Sequence, residues 1–87
     1  MPVQAYVLFK VSSGNERDVC KKIADFDEVL LADVIYGEYD VLAKVSLRDM
    51  EALDDFLSVK MRKVPSVLLT STMIVAREYK GKTRRIS

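Results

Sequence analysis

The sequence predicts an α+β domain whose four strands and two helices follow one another in the order βαββαβ. Two observations predict this class. Four apolar stretches of the 87-residue chain alternate or are rich in β-branched residues, and two others carry apolar residues at helical spacing. Right-handed crossovers then give a four-stranded antiparallel sheet with both helices on one face.

The first half of the chain is expected to contain two strands and a helix. Val3 to Val11 alternates strictly, so its odd-numbered apolar row should face the core. Ser13 and Glu16 match a capping box, which predicts a helix from about Asn15 to Ala24. The apolar stretch from Glu28 to Val34 predicts the second strand.

The second half repeats this pattern. A third strand is predicted from Val41 to Val45, and Ser46 with Asp49 again fits a capping box. The apolar face of the following helix consists of Met50, Leu53, Phe56, Leu57 and Met61. The helix should stop before Pro65, and the last strand should run from Val67 to about Tyr79. This order is the ferredoxin-like pattern.

Composition argues against several classes of function. A net charge of +1 lacks the basic excess of a nucleic-acid or anionic-membrane binder. The chain has no histidine, the commonest general base and metal ligand, and its single cysteine excludes a CxxC site. We therefore expect no cofactor, no metal and no catalytic residue. No apolar run approaches the roughly 18 residues of a membrane span, so a cytoplasmic location is expected.

A glycine-containing turn, Ile35 to Val41, joins the second and third predicted strands. Glycine takes a positive φ without steric cost and leaves the backbone N–H groups open to a ligand. The residue pattern alone is consistent with two interpretations: a hairpin that needs a glycine, or a turn that binds a small molecule.

The second face of the predicted sheet would expose many apolar side chains in a monomer. They are Tyr6, Leu8, Leu31, Ile35, Leu42 and apolar residues of both parities on the last strand. Such a patch exceeds what soluble monomers usually tolerate, and packing against a second copy of the sheet would bury it. We therefore expect a homodimer, dimerising through this face, and larger assemblies of dimers.

Two motifs on this chain resemble those of the effector-binding domain of Lrp/AsnC transcription regulators, called the RAM domain. Gly37-Glu38-Tyr39-Asp40 matches the family's G-x-Y-D turn. Residues 64–75 are similar to its P-G-V-x-x-T-x-T ending, with Ser66 where the family usually has glycine. The resemblance covers residues 3–80. We therefore expect one ligand-binding domain over residues 1–80, a basic tail over residues 81–87, and the stand-alone form without a helix-turn-helix domain, which should not bind DNA.

The resemblance implies an amino-acid effector bound between dimers, which often assemble into octamers, and mixed assembly with full-length Lrp/AsnC-type regulators. Carried over by position, the ligand-binding residues are Gly37, Glu38, Tyr39, Asp40, Thr70 and Thr72. Gly37 and the threonines would bind the carboxylate, and Asp40 or Glu38 the ammonium. Asp40 has a structural alternative, which is to stabilise the turn.

Two alternatives to a sensor remain at the level of the whole chain. One is a cofactor-independent dimeric enzyme of ferredoxin-like fold, although such enzymes usually rely on histidine, tryptophan or asparagine, and the only asparagine here is Asn15. The other is a purely structural oligomerisation module with an empty site.

Overall fold

The computed structural model describes residues 2–82 and contains the six elements in the predicted order. Their bounds are β1 (Val3–Val11), α1 (Glu16–Ala24), β2 (Val29–Val34), β3 (Val41–Leu47), α2 (Met50–Asp55) and β4 (Val67–Ile74). Most of the predicted basic tail, residues 83–87, lies outside the described residues.

The sheet has the strand order β2-β3-β1-β4, and every neighbouring pair is antiparallel. One face carries the buried core, which comes from alternate residues of β1 and β3 and from both helices. The predicted ferredoxin-like α+β class is therefore confirmed. Strict alternation makes this possible, because a period of two sends every second side chain to the same face.

Helix α1 begins later than its predicted capping box. Its N-cap is Asn15, whose side chain makes no capping bond and donates instead to Ser12 Oγ over 3.0 Å. The predicted box of Ser13 and Glu16 is wrong, because Gly14 has a φ of +89° and the helical conformation starts only after it. Glu16 Oε1 accepts a hydrogen bond from the Gly14 N–H group instead.

The second predicted capping box is also wrong. Strand β3 continues to Leu47, which is buried and pairs with Val3, so Ser46 lies inside the strand. Asp49 is the N-cap of α2, and its side chain accepts a hydrogen bond from the Ala52 N–H group over 2.8 Å. A cap residue must have non-helical backbone, and Asp49 is the residue that does, with a φ of −158°.

The second helical segment is less regular than predicted. After α2 the chain forms a π-helical turn (Phe56–Lys60) and a 3₁₀ turn (Met61–Lys63). The predicted core positions Leu53, Phe56 and Met61 are buried, but Met50 is 52% exposed. Ser66 follows with a φ of +71°, a conformation that favours glycine.

Strand β4 ends at Ile74, short of the predicted end near Tyr79, because its partner β1 begins at Val3. Beyond Ile74, the Val75 N–H group donates to Gln4 O over 2.9 Å. Strand β4 is an edge strand, and helix α1 packs against β2 and β3 rather than against it. Most of its side chains are consequently exposed on both faces of the sheet.

Candidate functional site

The loop between β2 and β3 has an ordered backbone. The Ile35 N–H group donates to Asp40 O over 2.9 Å and closes the loop. Gly37 has a φ of +135°, which residues with a side chain rarely adopt, and a Cβ atom built there would meet no atom within 4 Å. Glycine is therefore required here by the backbone conformation, and open space lies beside it.

Asp40 fastens this loop to the end of β1. Its N–H group donates to Phe9 O over 2.9 Å, and its Oδ2 atom accepts from the Val11 N–H group over 2.8 Å. The ladder between β1 and β3 ends at Phe9 and Val41, so the carboxylate supplies the partner that the next strand residue would have supplied. The structure thus gives Asp40 the structural role that the sequence left open, whether or not it also binds a ligand.

Glu38 and Lys10 meet at the exposed side of the loop. The Lys10 ammonium donates to Glu38 O over 2.7 Å. No hydrogen bond among residues 2–82 uses the Glu38 carboxylate, and the residue is exposed. Lys10 was not among the predicted site residues. The available sequence signal was its position as the charged member of the row of β1 that faces away from the core.

Thr70 and Thr72 do not meet the loop within one chain. Their β1 partners are Phe9 and Val7, which are buried, so both threonines lie on the helix-bearing face of the sheet. Strand β1 separates them from β3, a gap of two strand spacings or about 10 Å. One chain therefore brings together Gly37, Glu38, Tyr39 and Asp40, and it holds the two threonines elsewhere.

Thr70 lines an open groove of about 450 Å³ between β4 and the second helical segment. Apolar side chains form much of its wall, and polar groups on the helical side and the backbone of β4 complete it. The lining residues are Asp54, Leu57, Ser58, Met61, Arg62, Val64, Val67, Leu68, Leu69 and Thr70. The groove exists because neither helix covers the edge strand.

The outer face of the sheet carries Lys44 beside the aromatic ring of Tyr6. Lys44 donates to Glu78 Oε2 over 2.7 Å and lies 5.4 Å from the centre of the Tyr6 ring. The hydrogen bond with Glu78 raises the pKa of Lys44 and lowers the pKa of Glu78. Further along the same face, Leu69 and Met73 are 57% and 50% exposed.

The single cysteine of the chain, Cys20, is a half-buried free thiol. Burial, and secondarily the charge of Asp33, raises the pKa of Cys20, which keeps the thiol protonated and weakly nucleophilic. Between Pro2 and Lys82, no three acidic, cysteine or histidine side chains are grouped as a metal site. No helix in that range is both long and apolar enough to cross a bilayer.

The sequence matches a known protein family over most of its length. The family model of the Lrp/AsnC ligand binding domain matches residues 4–85. The HTH-type transcriptional regulator FL11 of Pyrococcus abyssi is 32% identical over 79 residues, which are 91% of this chain and 52% of that protein. The chain thus spans about half the length of the curated relatives it matches.

Two solved structures show the same fold. The crystal structure of FFRP-DM1 is 42% identical, with a TM-score of 0.80, over 84% of this chain and 97% of that one. The complex of transcriptional regulator NMB0573 from Neisseria meningitidis with L-Met is 23% identical, with a TM-score of 0.80, over 93% of this chain and 54% of that one.

Proposed function

Because this chain belongs to the Lrp/AsnC ligand binding domain family, we propose that it is an oligomeric, non-enzymatic sensor of a free amino acid. In this role it modulates Lrp/AsnC-type transcription regulators, by mixed assembly with them. Support comes from its similarity to FL11, a named transcriptional regulator, and from a protein of the same fold that forms a complex with L-Met.

The observation that carries this proposal is the loop from Gly37 to Asp40. Asp40 holds it against β1 with two hydrogen bonds of 2.8 and 2.9 Å, so the binding surface is formed before a ligand arrives. Open space beside Gly37 admits a small molecule. The Glu38 carboxylate, which accepts no hydrogen bond from residues 2–82, is a suitable partner for an ammonium group.

The proposed site lies between chains. In one chain the loop and the threonines of β4 are about 10 Å apart, so a neighbouring dimer must supply Thr70 and Thr72 if they contact the same ligand. The exposed apolar side chains Leu69 and Met73 on the outer face support a dimer, and we propose that assembly of dimers into an octamer supplies the contact between loop and β4. The near-neutral charge of these 87 residues favours effector binding over phosphate contact.

A binding screen tests this function directly. The full chain is titrated with each of the twenty protein L-amino acids by thermal shift, and positive cases are measured by calorimetry. We expect at least one to raise the melting temperature. Glu38→Gln should weaken its binding by about tenfold, since a hydrogen bond to a charged group contributes about 1.5 kcal/mol or more.

Glu51→Gln is the matched control, because Glu51 is also exposed but lies on α2. It should bind the amino acid as the wild type does. If none of the twenty binds to the assembled protein, the proposal of an amino-acid sensor is wrong.

A further inference from the structure

We propose that Lys10 forms a carboxylate-binding subsite at the loop, which selects ligands with a free carboxylate beside the ammonium group. This inference rests on the proposed function and adds a residue that the family motif does not contain. The side chains of the loop offer two carboxylates, Glu38 and Asp40, which repel the carboxylate of an amino acid unless a cation lies nearby.

Lys10 is the cation that the structure brings to this loop. Its ammonium lies 2.7 Å from Glu38 O, and no other lysine or arginine among residues 2–82 hydrogen-bonds to the loop. An ammonium has three N–H donors, and this bond uses one of them. Two remain for a carboxylate, and the bond to Glu38 O limits the conformations that the long side chain can adopt.

The backbone beneath Lys10 is fixed. Its neighbours Phe9 and Val11 are 1% and 6% exposed, and both are hydrogen-bonded to Asp40. The lysine therefore starts from a rigid strand while its head group reaches solvent. The Lys10 ammonium on β1 and the Glu38 carboxylate on the loop therefore offer one partner for each charge of a zwitterion.

The edge strand β4 places one apolar residue beside Lys10. Leu69 of β4 is directly opposite Lys10 in the β1–β4 register and is 57% exposed on the same face of the sheet. Thr70 lies on the other face. The ligand class that fits Lys10 and Glu38 together is therefore a zwitterion with a free carboxylate, such as an α-amino acid.

The experiment compares acid and amide forms of one ligand. The amino acid that binds best in the screen and its carboxamide, which lacks the negative charge, are titrated calorimetrically into wild type, Lys10→Met, Lys10→Arg and Lys21→Met. Lys21 is an exposed lysine of α1 and serves as the control. We expect Lys10→Met to weaken binding of the acid form by about tenfold or more, because a charge-assisted hydrogen bond is lost. Binding of the amide form should change little.

Lys10→Arg should bind the acid form with an affinity within about threefold of wild type, since guanidinium also pairs with carboxylate. The proposal is overturned if Lys10→Met binds the acid form as tightly as wild type does. It is also overturned if the variant binds the acid and amide forms more weakly by the same factor, which would indicate that the conformation of the loop has changed. In either case wild type still binds the amino acid and the sensor function stands. Absence of wild-type binding would overturn both.

Discussion

Asp40 is the residue on which the geometry of the candidate site depends. Its carboxylate accepts the Val11 N–H group, and its backbone bonds to Phe9 and Ile35. Removal of the side chain in Asp40→Ala leaves a half-buried N–H group without its partner. We expect the free energy of unfolding to fall by about 1–3 kcal/mol, measured by urea denaturation. Ligand affinity should fall as well, because the loop is no longer held against β1.

Asp40→Asn separates the two roles of this carboxylate. The amide oxygen can still accept from Val11, so most of the stability should return, whereas a ligand ammonium would lose a charged partner. Asp27→Ala is the control, since Asp27 is an exposed carboxylate in another turn. If Asp40→Ala is as stable as Asp27→Ala, the loop is not anchored through this side chain.

At the scale of the element, the sequence predicted β1 and α1 to within one residue, but it missed both N-terminal capping boxes and the end of β4. Strand β1 has its predicted bounds because alternation is a local pattern that one buried face maintains. The second capping box failed because Ser46 and Asp49 both suit an N-cap, and tertiary structure decides between them. Pairing of Leu47 with Val3, 44 positions away, keeps Ser46 in a strand.

The candidate site shows the same limit. The motif located the loop, but the partners of Asp40 and Glu38 lie 29 and 28 residues away in sequence, on β1. No local sequence pattern spans a separation of 28 or 29 residues. Only the sheet order, with β1 beside β3, brings Lys10 and Val11 to the loop. The threonines were predicted as ligands from their motif, and the register then placed them on the helix-bearing face.

One ion pair ties the π-helical turn to the start of β2, and it should make stability depend on pH. Lys60 Nζ lies 2.5 Å from Glu28 Oε2, and this hydrogen bond lowers the pKa of Glu28 from its ordinary 4.5. Because the pKa of Glu28 is lower in the folded state than in the unfolded state, the ion pair stabilises the fold at pH values above the ordinary pKa of 4.5. This stabilisation is lost as the pH falls through the pKa of the folded state. Lys60→Met should therefore cost up to about 1 kcal/mol at pH 7 and progressively less below pH 4.5.

Urea unfolding of wild type and Lys60→Met from pH 7 to about pH 3 measures this difference. Lys22→Met, which removes an exposed lysine of α1, should show no such pH dependence. A penalty for Lys60→Met that is constant across this range would attribute the effect to packing of the aliphatic stem rather than to the ion pair.

At the scale of the whole molecule, the two faces of the sheet differ in what covers them. Helix α1 packs on the inner face over β2 and β3, whereas on the outer face Glu78, beyond β4, forms an ion pair with Lys44. Leu69 and Met73 on that face are 57% and 50% exposed, whereas Tyr6, Leu8 and Leu42 are half-buried. Packing of two copies through this face would bury them, and a stable dimer needs about 800 Å² from each partner.

Two methionines of nearly equal exposure test which face forms the dimer. Met73 is 50% exposed and pairs with Tyr6 on the outer face, whereas Met50 is 52% exposed at the start of α2. A carboxylate buried between two apolar sheets carries a large desolvation cost, so Met73→Glu should convert the dimer to monomer in light scattering. Met50→Glu places its charge at a helix N-terminus, where it is tolerated, and should leave the mass unchanged. If Met50→Glu dissociates the protein and Met73→Glu does not, the dimer forms through the helical face. In that arrangement the outer face of the sheet, with Leu69 and Met73, stays open to solvent.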